Sequence, residues 1–110
     1  MSSPMSNPTG AELIQAERVR QQQVEGWTPE HDDEHSSSEM IMAALCYANI
    51  AGFMGNGHSA ENAGNMVYPD WPWDMEHLKP SPDRVRNLVK AGALIAAEID
   101  RLQRLELTRD

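Results

Sequence analysis

The chain has 110 residues and a net charge of −8, enough for one domain with a modest core but short of the size at which a lone subunit buries surface generously. That charge, with a pI ≈ 4.8, argues against a binder of the DNA or RNA backbone, which needs clustered lysine and arginine; a small nucleotide stays open. Cys46 is the single cysteine, so there is neither an intramolecular disulfide nor a cysteine cluster for zinc, and no apolar run approaches a bilayer span.

Residues 1–10 are rich in Ser, Pro, Asn and Gly and read as a flexible arm, leaving 11–110 as a single helical domain. From 11 to 24 no Gly or Pro interrupts a helical pattern, and Thr9 with Glu12 three places on matches a capping box. Leu13, Ile14, Ala16 and Val19 make only a short apolar stripe, so this polar helix is expected to lie against the others along one narrow side. Arg18 and Arg20 are either solvated charges or aimed inward, solvation being the commoner case in a helix of this kind.

Glu25-Gly26 stops that helix, and Trp27 is expected to anchor the next segment in the body of the domain. Residues 30–35 pack His31 and His35 with Glu30, Asp32, Asp33 and Glu34. In a helix His31 and His35 would share a face, continued by Glu39. The order is not that of a His-Glu-x-x-His zinc motif. Two readings stay open: a solvated acidic turn bonding local amides, and a site for a hard cation such as Mg2+ held by Asp32, Asp33, Glu34 and Glu39 with His31 and His35. Ser36 and Glu39 also fit a capping box, which competes with Glu39 as a ligand.

A helix over 36–54 follows, apolar almost all round, and is expected to be buried on more than one side or to serve an oligomer interface. Cys46 reads as a small buried hydrophobe. Residues 52–80 carry four glycines and three prolines and are expected to form one long irregular connection. Such a length is more often functional or mobile than idle. Within it Trp71-Pro72-Trp73 either covers the core from outside or offers a stacking platform for a base.

Residues 81–105 form the strongest helical pattern, with Ser81 as cap, Pro82 in the first turn and Asp83 at the positive end of the dipole. Val85, Leu88, Gly92, Ile95, Ile99 and Leu102 recur at spacings of three and four, a heptad-like apolar stripe. Gly92 costs roughly 1 kcal/mol against alanine in a helix, which a close helix crossing would offset. Lys79, Arg84, Arg86 and Lys90 cluster near its start and could hold phosphates, with Trp27, Trp71 and Trp73 as the aromatic side of a ligand site. The expected architecture is all-α: two long buried helices and a polar N-terminal one in a three-helix bundle, with a long Gly/Pro/Trp-rich loop, assembled as an oligomer.

Glu17-Arg18-Val19-Arg20-Gln21, Trp27, His31-Asp32-Asp33, Trp71-Pro72-Trp73 and the run from Leu88 to Leu102 resemble a group of small phage and prophage proteins. More remotely, their order is similar to phage proteins described as MazG-like. That resemblance implies an all-α, oligomeric, magnesium-using nucleoside triphosphate pyrophosphohydrolase. The family's Glu-Glu-x-x-Glu and Glu-x-x-Asp pair have only partial counterparts here. Glu34 and Glu39 with Asp32 and Asp33 stand nearest the first, and Glu98-Ile99-Asp100 is one residue short of the second.

Two functions follow as expectations. One is a nucleotide-handling protein that binds a nucleotide with Mg2+ and hydrolyses it. The other is a non-catalytic counter-defence protein that sequesters a nucleotide signal, or blocks a host defence protein through its acidic surface. Either would be soluble in the cytoplasm of the bacterial host, away from the membrane. Convergent carboxylates from two helices would favour hydrolysis, and a basic, aromatic pocket would favour sequestration.

Overall fold

The computed structural model describes residues 7–33 and 38–107, and among these the protein is all-α, without a strand. Five helices run in order: α1 (Gly10–Gln23), α2 (Pro29–Asp32), α3 (Glu39–Gly55), α4 (Ala60–Val67) and α5 (Arg84–Leu107). Three are long, as expected, and two short ones add to them. No described helix is long and apolar enough to cross a membrane.

Local chemistry sets most of the boundaries. Thr9 Oγ1 accepts from the Glu12 amide at 3.2 Å while Glu12 Oε1 accepts from the Thr9 amide at 2.8 Å, a complete capping box. Gly26, at φ +75, supplies the left-handed residue that reverses the chain after α1. Thr28 then caps α2, with Pro29 in its first turn. Residue 36 and the rest of 34–37 lie outside the described residues, and α3 opens with Glu39 as its first residue, after Ser38, which makes no side-chain cap.

Two boundaries differ from the expectation. The connection from 52 to 80 is not irregular throughout. Ser59 Oγ accepts from the Asn62 amide at 3.1 Å and starts α4, and 3-10 turns follow at Tyr68–Asp70 and Met75–His77. The last helix begins at Arg84, three residues after the expected cap. Fully buried Asn87 is responsible: its amide accepts from the Ser81 N–H and donates to the Ser81 carbonyl, both at 2.8 Å. Ser81 is thereby held outside the helix, and Asp83 Oδ1 caps the Val85 amide instead.

The apolar core lies where α3 packs on α5, closed by α4 and the tryptophan segment. Ala43, Ala44, Cys46 and Tyr47 of α3 meet Ala91 and Leu94 of α5, so small residues on both helices permit close approach. Leu45 of α3 stays half exposed, so this helix is buried on one broad side rather than all round. Trp71 is buried edge-on to Tyr47 and to Trp73, with ring centroids 5.7 Å and 5.4 Å apart.

Helix α1 turns only Leu13 and Ile14 of its expected apolar stripe partly inward. Glu17, Arg18 and Gln21 are buried, whereas Ala16 and Val19 are exposed. The stripe on α5 is likewise turned outward: Val85, Leu88, Ile95, Ile99 and Leu102 are all about half exposed, and its buried side consists of Asn87, Val89, Ala91, Ala93, Leu94, Ala97 and Glu98. At Gly92 the expected close crossing is present. Ile14 of α1 occupies the space that a side chain there would need.

Candidate ligand-binding groove

Burying the polar face of α1 requires a partner for each ion, because an unpaired buried charge costs several kcal/mol. Glu17 is the centre of one network. Its carboxylate accepts from Arg20 Nε at 2.8 Å and Nη2 at 3.0 Å, and Arg86 Nη2 of α5 stands 2.7 Å away. Burial pushes the Glu17 carboxyl up, but the two guanidiniums outweigh it and hold the group below its ordinary value.

Arg18 is the centre of a second network. Its Nη2 donates to Asp32 Oδ2 of α2 at 2.6 Å and its Nη1 to the Trp27 carbonyl at 3.3 Å. Burial raises the Asp32 carboxyl, and Arg18 only partly offsets this. The expectation of solvated charges therefore fails at Arg18, which is 8 % exposed. Its role is to fasten the chain after Gly26 onto α1, which fixes where Trp27 stands.

Those two networks form the back of a groove. Its larger hollow, about 540 Å³, is lined by Trp27, His31, Asp32, Trp73, Asp74 and His77 over a floor that includes Met40, Leu94 and Ala97, a volume suited to a small ligand. The Trp27 and Trp73 rings lie 6.4 Å apart at 56°. Trp73 Nε1 donates to Glu39 Oε2 at 3.2 Å, so the first residue of α3 orients the indole.

Adjoining it is a smaller hollow of about 210 Å³, with Trp27, His77 and Leu94 common to both. Here Arg20, Lys79, Arg86 and Lys90 converge around Tyr47 and Gln21. Lys90 Nζ donates to the Lys79 carbonyl at 2.7 Å and sits 5.2 Å from the centre of the Tyr47 ring. Tyr47 Oη accepts from the Lys79 amide at 3.0 Å. Partial burial, and then Arg86, push the Lys90 ammonium below its ordinary value. Gln21 Oε1 is buried there without a hydrogen-bond partner.

Five of the seven residues expected to bind ligand thus meet here: Trp27 and Trp73 in the larger hollow, Lys79, Arg86 and Lys90 in the smaller. The other two are placed elsewhere. Trp71 belongs to the core and donates from Nε1 to the Asp74 carbonyl at 3.0 Å. Arg84 donates from Nε to the Ala51 carbonyl at 2.7 Å and lies against Gly55, covering the end of α3. Sequence reading missed Arg20, Gln21, Tyr47, Asp74 and His77 as lining residues. The one sequence signal for Arg20 and Gln21 was the density of polar residues on α1, which solvation explains as well as an inward-facing polar side.

The residues expected to hold Mg2+ are separated. Asp32 faces Arg18, Asp33 turns outward to Arg104 Nη2 at 2.7 Å, Glu39 faces the Trp73 indole, and His31 lines the groove with Nδ1 3.9 Å from Asp32 Oδ1. Glu34 and His35 lie outside the described residues. Glu98 of α5 is likewise held, by Arg101 Nε at 2.6 Å. A magnesium centre needs carboxylate oxygens free to face the ion, and Asp32, Asp33 and Glu98 each face a guanidinium, so these residues do not fit one. Among the described residues the one group of three metal-type side chains is Asp74, Glu76 and His77, all exposed on one turn.

Comparisons with protein-family models, with curated proteins and with solved structures return no match.

Proposed function

We propose that the protein binds a nucleotide, linear or cyclic, in this groove and sequesters it without hydrolysis. The observation that carries this reading is the adjoining of an aromatic-walled hollow and a corner lined by Lys79 and Lys90 together with Arg20 and Arg86, which pair with Glu17 and, for Arg20, with Glu25. Stacking on an aromatic face contributes about 1–3 kcal/mol per base and tolerates any base. Convergent cations recognise the phosphates. A chain of net charge −8 repels long polyanions from a distance, so the basic corner favours a ligand small enough to enter it.

Hydrolysis has less support, because Asp32, Asp33 and Glu98, three of the carboxylates the resemblance would assign to a metal, are matched to arginines. Acidic mimicry against a host defence protein needs no hollow, and it leaves the groove without a role. Sequestration of a nucleotide signal by a small phage-type protein accounts for both the groove and the paired carboxylates.

The deciding experiment is incubation with a panel of nucleoside triphosphates and cyclic oligonucleotides, with and without magnesium, followed by chromatography of protein and ligand. The expected result is retention of an unaltered ligand, weakened about tenfold or more by Lys90→Ala or by Trp73→Ala. Release of monophosphate and pyrophosphate only with magnesium would restore the hydrolase reading. Ligand recovered unbound and intact throughout would sink both.

A further inference from the structure

Apart from Gly92, which Ile14 of α1 covers, the apolar stripe of α5 stays half exposed on the subunit surface. Val85, Leu88, Ile95, Ile99 and Leu102 are each between 44 % and 54 % exposed, and from Val85 to Leu102 the row runs about 26 Å along the helix. With Gly92 completing it, the spacing alternates three and four without a break, the repeat by which one helix packs along another. Half of each of five large side chains amounts to several hundred Å², the scale on which a patch marks an interaction site. Beside it lies a shallow recess of about 240 Å³ between α1 and α5, in which Leu13, Ala16, Val85 and Val89 alternate with the charged Glu17, Arg20, Asp83 and Arg86.

We infer that this face pairs with the same face of a second copy, α5 against α5 in antiparallel orientation about a two-fold axis. This is independent of what the groove binds. The stripe contains no charged residue, so two chains of net charge −8 can meet here without burying like charges. Antiparallel pairing sets Val85 opposite Leu102 and Leu88 opposite Ile99, with Ile95 of the other copy beside the Ile14 that covers Gly92. It also sets the two helix dipoles in opposition, whereas parallel pairing would bring like ends together. The subunit is a slab of 49 × 47 × 21 Å with a radius of gyration of 15.1 Å, above the roughly 13 Å of a compact domain of this length. Stacking two slabs through the stripe makes a body of ordinary proportions, and the two stripes with their polar rims approach the roughly 1,200 Å² of a small specific interface. An anionic membrane surface is a poor alternative occupant, since amphipathic helices that bind one carry lysine and arginine beside the apolar face, and here Asp100 and Glu106 flank it.

Light scattering coupled to size exclusion on the full chain tests this. The expected mass is twice the 12.3 kDa of one chain. Ile95→Glu with Ile99→Glu should halve it while leaving the helical circular dichroism unchanged, and Ile95→Leu with Ile99→Leu should keep it doubled. Cysteine pairs report orientation: Leu88→Cys with Ile99→Cys should form a covalent dimer on oxidation, and Leu88→Cys alone should not. A wild-type mass of one chain at hundreds of micromolar, or a glutamate variant that stays doubled, would overturn the interface. Cross-linking by Leu88→Cys alone would overturn the antiparallel arrangement. Should the glutamate variant lose its helices, the oxidation pattern of the cysteine variants decides on its own.

Discussion

Two halves of the interior are built on opposite principles. Around α3 the interior is dry: Ala43, Ile50, Ala63 and Leu94 pack with almost no exposure and without a charged group among them. Beneath α1 and α2 it is ionic, with Glu17, Arg18, Gln21 and Asp32 buried to a similar degree. The dry half holds by area removed from water and tolerates changes that preserve volume. In the ionic half each group depends on one named partner, and the contribution is to geometry more than to net stability. The groove opens on the border between them, where a residue from the dry side, Leu94, and one fixed by the ionic side, Trp27, line both hollows.

The sharpest way to break this comparison is Asp32→Ala, which leaves Arg18 buried with no countercharge. A loss of about 3–5 kcal/mol is expected in thermal or denaturant unfolding. Replacing both partners, Arg18→Met with Asp32→Leu, should recover most of that loss; if the double variant is no better than the single one, the pair contributes more than its own charge balance. On the dry side Ile50→Ala should cost about 2–5 kcal/mol through the void it leaves, and no second substitution on α1 should relieve it.

A smaller effect comes from pH. The Glu17 carboxyl is held below its ordinary 4.5 in the folded protein, so its stabilisation is fully present above that value and lost as pH falls through the lowered folded value. Asp32 is raised, so its ionisation opposes folding and its protonation on acidification has the opposite sign. Glu17→Gln should therefore flatten the decline in melting temperature below about pH 4.5, and Asp32→Asn should not. The smallest effect is expected from Asp33→Ala, whose carboxylate meets Arg104 in solvent; its melting curve should overlay that of the unmodified chain. A clear loss there would mean that α2 is fastened to α5 by this contact rather than by Arg18.

Much of the helical framework was legible residue by residue. Thr9 with Glu12 announces its helix start because capping needs partners only three places apart. The start of α4 was hidden by the glycines around Ser59. The start of α5 was misplaced because Asn87, six residues on, holds Ser81 out of the helix. Of the groove, the tryptophans and basic residues could be named from sequence. Their separation from Trp71 and Arg84 could not, since it depends on contacts such as that of Arg84 with Ala51, thirty-three residues apart.

What the sequence by itself determined is where the three long helices lie, because caps, reversals and apolar spacing act over a few residues. What only the tertiary structure decided is which side of each helix faces inward. Apolar spacing marks a face on α1 and on α5, but not what stands opposite it. On α1 the arginine partners of Glu17 and the Asp32 partner of Arg18 drew the polar side in, and on α5 the alanines and Leu94 packed against α3 left Leu88, Ile95 and Ile99 outward. Ion pairs between distant segments and close packing of small residues are properties of the folded arrangement, and they outweighed the pattern that each helix carried alone.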